Sequence, residues 1–249
     1  MAAKRHRSGA DAMRQLYIFC EGQTEQIFCA QVLQPHLFLH GDGFIHTLAV
    51  GEKNNRHIYG IGRRSKYEKV RRFILNTIKQ RAGTNVYFTT LFDLYALPSD
   101  FPGADANVKN PSNPTPYVRA LEEAFRQDIN SNRFMPYLQL HEYETMLFAD
   151  PEAFRISFEN CEAKIQKLDA IVASVKNIIE NINDGQHSAP SKRIREVIPE
   201  YAGRKSTAGP DIAERIGIAA IRSKCPHVHD WLVQLETIPW EEEFVDRVD

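Results

Sequence analysis

The chain has 249 residues, of which 43% are hydrophobic and 25% charged, with a mean hydropathy of −0.42. That composition suits one globular domain, or a compact core with an appended subdomain, and excludes disorder, collagen and a disulfide miniprotein. A formal net charge of −1 hides an uneven distribution: Glu52 to Arg81 holds ten Lys or Arg against two acids, a local net of +8, while Glu236 to Asp249 holds six acids against Arg247.

Leu16 to Cys20 is a short apolar run that ends at Glu21-Gly22 and is followed by TEQIFCAQVL, whose Ile27, Phe28, Val32 and Leu33 recur at helical spacing; the reading is strand, turn, helix. Phe44 to Val50 reads as a second strand. The basic segment then reads as a loop, Gly51 to Lys66, and a helix carrying Tyr67, Val70, Phe73, Ile74 and Ile78. Two readings of its charge stay open: a stripe that neutralises nucleic-acid phosphates through Arg63, Arg64 and Lys66, or a solvated helix face. Val86 to Phe92, rich in β-branched and aromatic residues, is a third strand. Leu97 to Pro116 carries five prolines and reads as a long loop of functional interest. Tyr117 to Ile129 returns to helix, and Phe134 to Leu140 is a fourth strand. Alternation of strands and helices implies crossovers and a mainly parallel sheet covered by helices on both faces.

Beyond Asp150 the pattern is helical only. Ile165, Leu168, Ile171, Val172, Val175, Ile178, Ile179 and Ile182 step with an amphipathic period, and SAPSKRIREVIPEY, GPDIAERIGIAAIR and CPHVHDWLVQL each read as a short helix bounded by Pro or Gly. The expected organisation is an α/β core over 1–155 and an all-helical C-terminal cap over 156–249. The longest apolar runs fall far short of the roughly 20 residues of a membrane helix, and no signal peptide opens the chain. Four scattered cysteines (Cys20, Cys29, Cys161, Cys225) form no CxxC pair and read as reduced thiols. The expected setting is cytoplasmic, off the membrane, and any metal is expected to be bound by oxygen.

What ends each strand is the informative feature. Glu21 follows the first, Asp93 the third, and Glu142 with Glu144 the fourth. Three strands expected to lie parallel thus deliver carboxylates at their C-terminal ends, the edge where open α/β sheets bind ligands. Clustered carboxylates repel unless protonated or bridged by a cation, and a hard ion such as Mg²⁺ (or Mn²⁺) is held by one or two of them plus water and phosphate. The alternative is helix capping, which suits Glu25 and Glu144 better than Glu21. Lys205, or Lys192 with Arg193, can offer a cation to a phosphate or stand as surface residues. HEYET is not HExxH, and no GxxxxGK[ST] or GxGxxG is present. Cys225, His227 and His229 read as a packed helix start rather than a zinc site. Trp231 and Trp240 read as core or as the contact of a homo-oligomer.

FCEGQTEQIF (Phe19 to Phe28) resembles the opening motif of Toprim domains, the Mg²⁺-binding fold of topoisomerases, primases and the overcoming-lysogenisation-defect nucleases. Together with TLFDLYALPSDFPG, LQLHEYETMLFAD, APSKRI and CPHVHDWL it looks like a bacterial family catalogued as domain of unknown function 4276 and regarded as Toprim-like. The resemblance implies that Glu21 is a general acid/base or metal ligand, that Glu25 is its neighbour, and that Asp93 opens an Asp-x-Asp motif. Tyr95 stands at that motif's second place, so a second ion needs Asp100, or Glu142 and Glu144, as replacement ligand. The implied function is a metal-dependent nuclease in bacterial defence beside a separate ATPase, acting on DNA or RNA. Another reading is a catalytically weak Toprim-derived binding or sensor module partnering that ATPase. A small-molecule phosphohydrolase with Asp93 as nucleophile ranks third.

Overall fold

The computed structural model describes residues 14–39, 43–50, 52–54, 57–59, 66–81, 83, 85–106, 113–176, 178–182 and 188–238. Strand β1 (Arg14–Cys20) leads into α1 (Gln23–Phe28), a π turn over Cys29–Leu33 and α2 (Gln34–Leu39). The turn widens just ahead of Pro35, whose ring meets the carbonyl four residues back in a regular helix. Next come β2 (Gly43–Ala49), a hairpin of β3 (Glu52–Asn54) and β4 (His57–Tyr59), α3 (Tyr67–Gln80) and β5 (Val86–Asp93). The hairpin lies where the sequence suggested only loop. Helix α4 (Thr115–Ile129) then leads to β6 (Phe134–Met135) and β7 (Leu138–Gln139).

The main sheet has five strands among the described residues, in the order β2-β1-β5-β6 with β7 also beside β5, and every pairing is parallel. A parallel sheet is buried on both sides, which is why Leu16–Cys20 of β1 is unbroken apolar sequence and β5 is interrupted only by the buried, hydrogen-bonded Thr89 and Thr90 before Asp93. Leu16, Ile18 and Cys20 face one layer, and Tyr17 and Phe19 face the other, with Val70, Ile74, Val118 and Phe125 of α3 and α4. The expected α/β architecture is therefore present: a mostly parallel sheet flanked by helices, with further helices toward the C-terminus.

Those later helices are α5 (Glu162–Ser174), α6 (Pro190–Val197), α7 (Lys205–Ile216), α8 (Ile218–Lys224) and α9 (Pro226–Glu236). One hydrophobic cluster runs from Leu16 and Ile18 through Leu168, Ile212 and Trp231 to Ile238, so they share a core with the first face of the sheet.

Three local departures have physical causes. The expected strand Phe134 to Leu140 splits around Pro136, which has no N–H for a ladder. The Thr90 hydroxyl replaces the lost ladder, accepting from Tyr137 N–H at 2.8 Å and donating to Tyr137 O at 2.7 Å. The period running on to Ile182 does not make one helix: α5 stops at Ser174, Lys176 turns left-handed (φ 54°), and a 3₁₀ turn over Ile179–Asn181 keeps Ile179 and Ile182 buried. In the proline-rich loop, Phe101 is packed between the rings of Tyr67 and Phe125 (centroids 5.2 and 4.9 Å), so its first half belongs to the core; residues 107–112 lie outside the described residues. Among the described residues no helix is long and apolar enough to cross a membrane.

Candidate functional site

The connection from β1 to β2 runs one way along the sheet, and the next, through α3, returns across β1 to β5. The order reverses between β1 and β5, and the crevice at such a reversal, beyond the strands' C-terminal ends, is where open α/β sheets place ligands. Glu21 leaves β1 and Asp93 ends β5 at that point. Their contact is direct: Asp93 N–H donates to Glu21 Oε1 at 3.0 Å. Asp93 Oδ1 in turn accepts from Tyr143 N–H at 2.8 Å, which draws in the 3₁₀ segment Tyr143–Ala149 that carries Glu144.

Around this pair the chain gathers three more carboxylates. Glu25 is buried and its Oε2 accepts from Gly22 N–H at 2.9 Å, closing the first turn of α1. Glu142 Oε2 accepts from Ser191 N–H at 2.9 Å, at the start of α6. Glu144 is fully buried, accepting from the Tyr201 hydroxyl at 3.2 Å and pairing with Lys205 Nζ at 2.9 Å. Helix α7 brings Lys205 in because Gly209 lets it approach closely: a Cβ there meets Tyr201 Oη at 3.2 Å, Tyr143 Cε1 at 3.3 Å and Thr24 Cγ2 at 3.4 Å.

The electrostatics are one-sided. Burial pushes the Glu21 carboxyl well above the ordinary range, and the charges of Asp93 and Glu25 push it further. Burial does the same to Asp93, with Glu25 raising it and Lys205 opposing. Glu25 is raised as well, again by burial first. Burial lowers Lys205, but Glu144 and Asp93 outweigh that and leave it above its usual value, a firm cation among the acids.

Because Glu21 and Asp93 titrate higher in the folded than in the unfolded chain, their stabilisation is present below the unfolded carboxyl range and is lost as pH rises through the raised values. Without metal, Glu21→Gln is therefore expected to raise the melting temperature near pH 8, since Gln keeps the acceptor for Asp93 N–H and removes the charge. The gain should fade toward about pH 4, where the unfolded carboxyl itself takes a proton. Thermal melts of both proteins in chelator across that range check this, and parallel curves at every pH contradict it.

Of the acids read from sequence, Glu21, Glu25, Asp93, Glu142 and Glu144 come to one edge with Lys205. Lys192 and Arg193 lie in the first turn of α6, beside the Ser191 amide that Glu142 holds; Arg193 Nε donates to Ser188 O at 2.8 Å. Asp100 is exposed and its Oδ1 accepts from Tyr67 N–H at 3.0 Å, so it caps α3 rather than joining the acids. Lys66 is the exposed N-cap of α3; Arg63 and Arg64 lie outside the described residues, as does Trp240. Cys225, His227 and His229 do begin a packed helix: His227 Nε2 bonds Glu122 Oε1 at 2.9 Å, and His229 Nδ1 accepts from Arg222 Nε at 3.1 Å.

Glu21, Glu25, Asp93 and Glu142 each bind a main-chain N–H through one oxygen, which leaves the second for another ligand. Hard oxygen donors of this kind suit Mg²⁺ or Mn²⁺. As the side chains stand, no three His, Cys, Asp or Glu among the described residues are close enough to share one ion. Sequence reasoning missed Tyr201, Gly209, Glu180 and Glu122, whose parts depend on contacts between distant segments. Comparison with curated proteins and with solved structures finds no match. A family model described as "Domain of unknown function (DUF4276)" matches residues 20–236, from the last residue of β1 to the end of α9, and the chain belongs to that family.

Proposed function

We propose that this protein is a Mg²⁺- or Mn²⁺-dependent phosphodiesterase acting on nucleic acid, a Toprim-like nuclease that works in bacterial defence beside a separate ATPase. The observation that carries the reading is the set of five carboxylates at the reversal point of a parallel sheet, with Glu21 and Asp93 held above the ordinary carboxyl range and Lys205 the cation among them. Half-buried acids crowded together in that state favour a cation that removes their repulsion. Glu21, Asp93 and Glu142, with Glu144 once it shifts from Lys205, would hold the ion after closing together, and the ion would supply polarisation of the scissile phosphate and a water of lowered pKa. Glu21 moves a proton at the strand edge, and Lys205 bears on the phosphate's charge. Lys192 and Arg193, with Arg63, Arg64 and Lys66, hold the backbone phosphates, which makes binding salt-dependent.

The test is metal linkage. Mn²⁺ at about a hundred times its dissociation constant should stabilise the wild-type protein by about 2.7 kcal/mol, and Glu21→Gln with Asp93→Asn should remove that response. An equal thermal shift in the double variant overturns the assignment of these ligands. Two observations favour a second reading, a binding or sensor module of the proposed ATPase: among the described residues no three ligands are gathered, and Tyr95 occupies a place where a carboxylate would help.

A further inference from the structure

The acids on β1 and β5 leave their strands directly, but Glu142 and Glu144 have to be swung round from the end of β7, and His141 is where the chain turns. Its backbone is left-handed (φ 67°), a conformation that is costly for a residue with a Cβ and that persists only where the surroundings enforce it. The enforcement is visible. The imidazole is 1% exposed, and its Nε2 lies 2.8 Å from the main-chain oxygen of Glu180. A carbonyl only accepts, so Nε2 carries the proton. The His141 carbonyl accepts from Tyr95 N–H at 3.1 Å, which joins this turn to the segment leaving β5 two residues after Asp93.

The anchor itself is fixed from the far side. The Glu180 carboxylate accepts from His227 N–H through both oxygens, each at 3.0 Å, and from Val228 N–H at 3.2 Å, so it is pinned to the first turn of α9. His227 Nε2 bonds Glu122 Oε1, and the same oxygen accepts from Leu138 N–H at 2.8 Å, which holds β7 just ahead of the turn. His141 is thus clamped at its side chain by Glu180, at its carbonyl by Tyr95, and through β7 by Glu122.

We infer that His141 is a positioning residue of the acid site: its imidazole, locked on the Glu180 carbonyl, holds the left-handed turn that places Glu142 and Glu144 at the edge carrying Glu21 and Asp93. The inference rests on the metal-site reading above and adds to it the part played by the CPHVHDWL segment, whose backbone amides hold Glu180. A residue that orients ligands without touching the ion changes metal affinity by about 10–100-fold when removed.

Mn²⁺ titrations followed by thermal shift, at fixed pH, on wild type, His141→Gly, His141→Gln and Glu21→Gln test it. Glycine accepts the left-handed backbone and loses the anchor; glutamine retains a donor near the position of Nε2. His141→Gly is expected to melt cooperatively and bind Mn²⁺ about 10–100-fold more weakly, with His141→Gln recovering much of the loss. Equal Mn²⁺ affinity in His141→Gly and wild type overturns the positioning role and leaves the metal reading standing. Absence of Mn²⁺ binding in wild type overturns both. Should His141→Gly fail to fold, ¹⁵N-histidine spectra of the wild-type protein decide: the His141 Nε2 resonance is expected to move on saturation with Mg²⁺, and an unmoved resonance overturns the inference.

Discussion

On the proposed function, purified protein, alone or with the proposed ATPase, is expected to cleave DNA or RNA in Mg²⁺ or Mn²⁺, and Glu21→Ala to lower the rate by roughly 10²–10⁴-fold, the range that a positioned proton-transfer group contributes. The loss should lie at or beyond the upper end, because Glu21 is proposed to hold the ion as well as to move the proton. The fold should survive, since Glu21 is half-buried and outside the apolar clusters, and its main contact within the cluster is the Asp93 amide. Mn²⁺ should outperform Mg²⁺. Tyr95 can donate to a phosphate but is a poor ligand, so a second ion would depend on substrate oxygens, and Mg²⁺ insists on near-octahedral geometry. Gel cleavage assays at matched protein concentration, with melting curves as control, measure this. Failure to cut either nucleic acid with either ion, with or without the proposed ATPase, would leave the binding-module reading in its place.

The largest stability effect is expected at Trp231, far from the acids. It is 2% exposed, stacks on Tyr137 at 4.3 Å between centroids and 11° between planes, and donates from Nε1 to Thr89 Oγ1 at 3.0 Å. Thr89 lies within β5, so this one side chain ties α9 to the centre of the sheet. Trp231→Ala removes the buried ring and leaves a cavity, a change that costs about 3–5 kcal/mol. For a chain of this size each kcal/mol lowers the melting temperature by about 2–4 °C. Trp231→Phe keeps stacking and loses the hydrogen bond, so it should fall between the two. Urea or thermal denaturation reads the order, and a Trp231→Ala loss below about 1 kcal/mol contradicts the packing role.

The layout of the site was legible in sequence because its signals are local. An apolar strand that stops at a carboxylate is visible in LYIFCEG, in VYFTTLFD and in LQLHEYE, and strand-helix alternation alone implies that such ends share an edge. The amphipathic period runs past Ser174 although the helix does not, because hydrophobic period records which residues are buried, and Ile179 and Ile182 are buried in a different turn of the backbone. Asp100 looked like a spare ligand because composition cannot show that its oxygen faces the amide of Tyr67. Partners separated by dozens of residues left no mark. Glu180 reads as one more acid in an amphipathic stretch, Gly209 as a helix boundary, and His141 as the first letter of an acidic motif. Only the packing of α7 against α1 and the Tyr143–Ala149 segment, and of α9 against β5, gives them their roles.

Closure of the sheet by distant segments has a consequence for how the chain is made. Arg14, the first residue of β1, donates from Nη1 to the carbonyl of Ile238 at 3.0 Å, a contact that spans 224 residues. The face of β1 carrying Leu16 and Ile18 shares its core with Trp231, Leu235 and Ile238. As the polypeptide leaves the ribosome, β1, β2 and β5 emerge early, yet the layer that dries one side of them emerges last. Contacts of such wide separation make folding slow, and partly made parallel sheets with an uncovered apolar face associate with one another. Nascent chains ending before α9 are therefore the ones exposed to aggregation and to chaperone capture, and until that helix docks Glu180 lacks the His227 and Val228 amides that hold it.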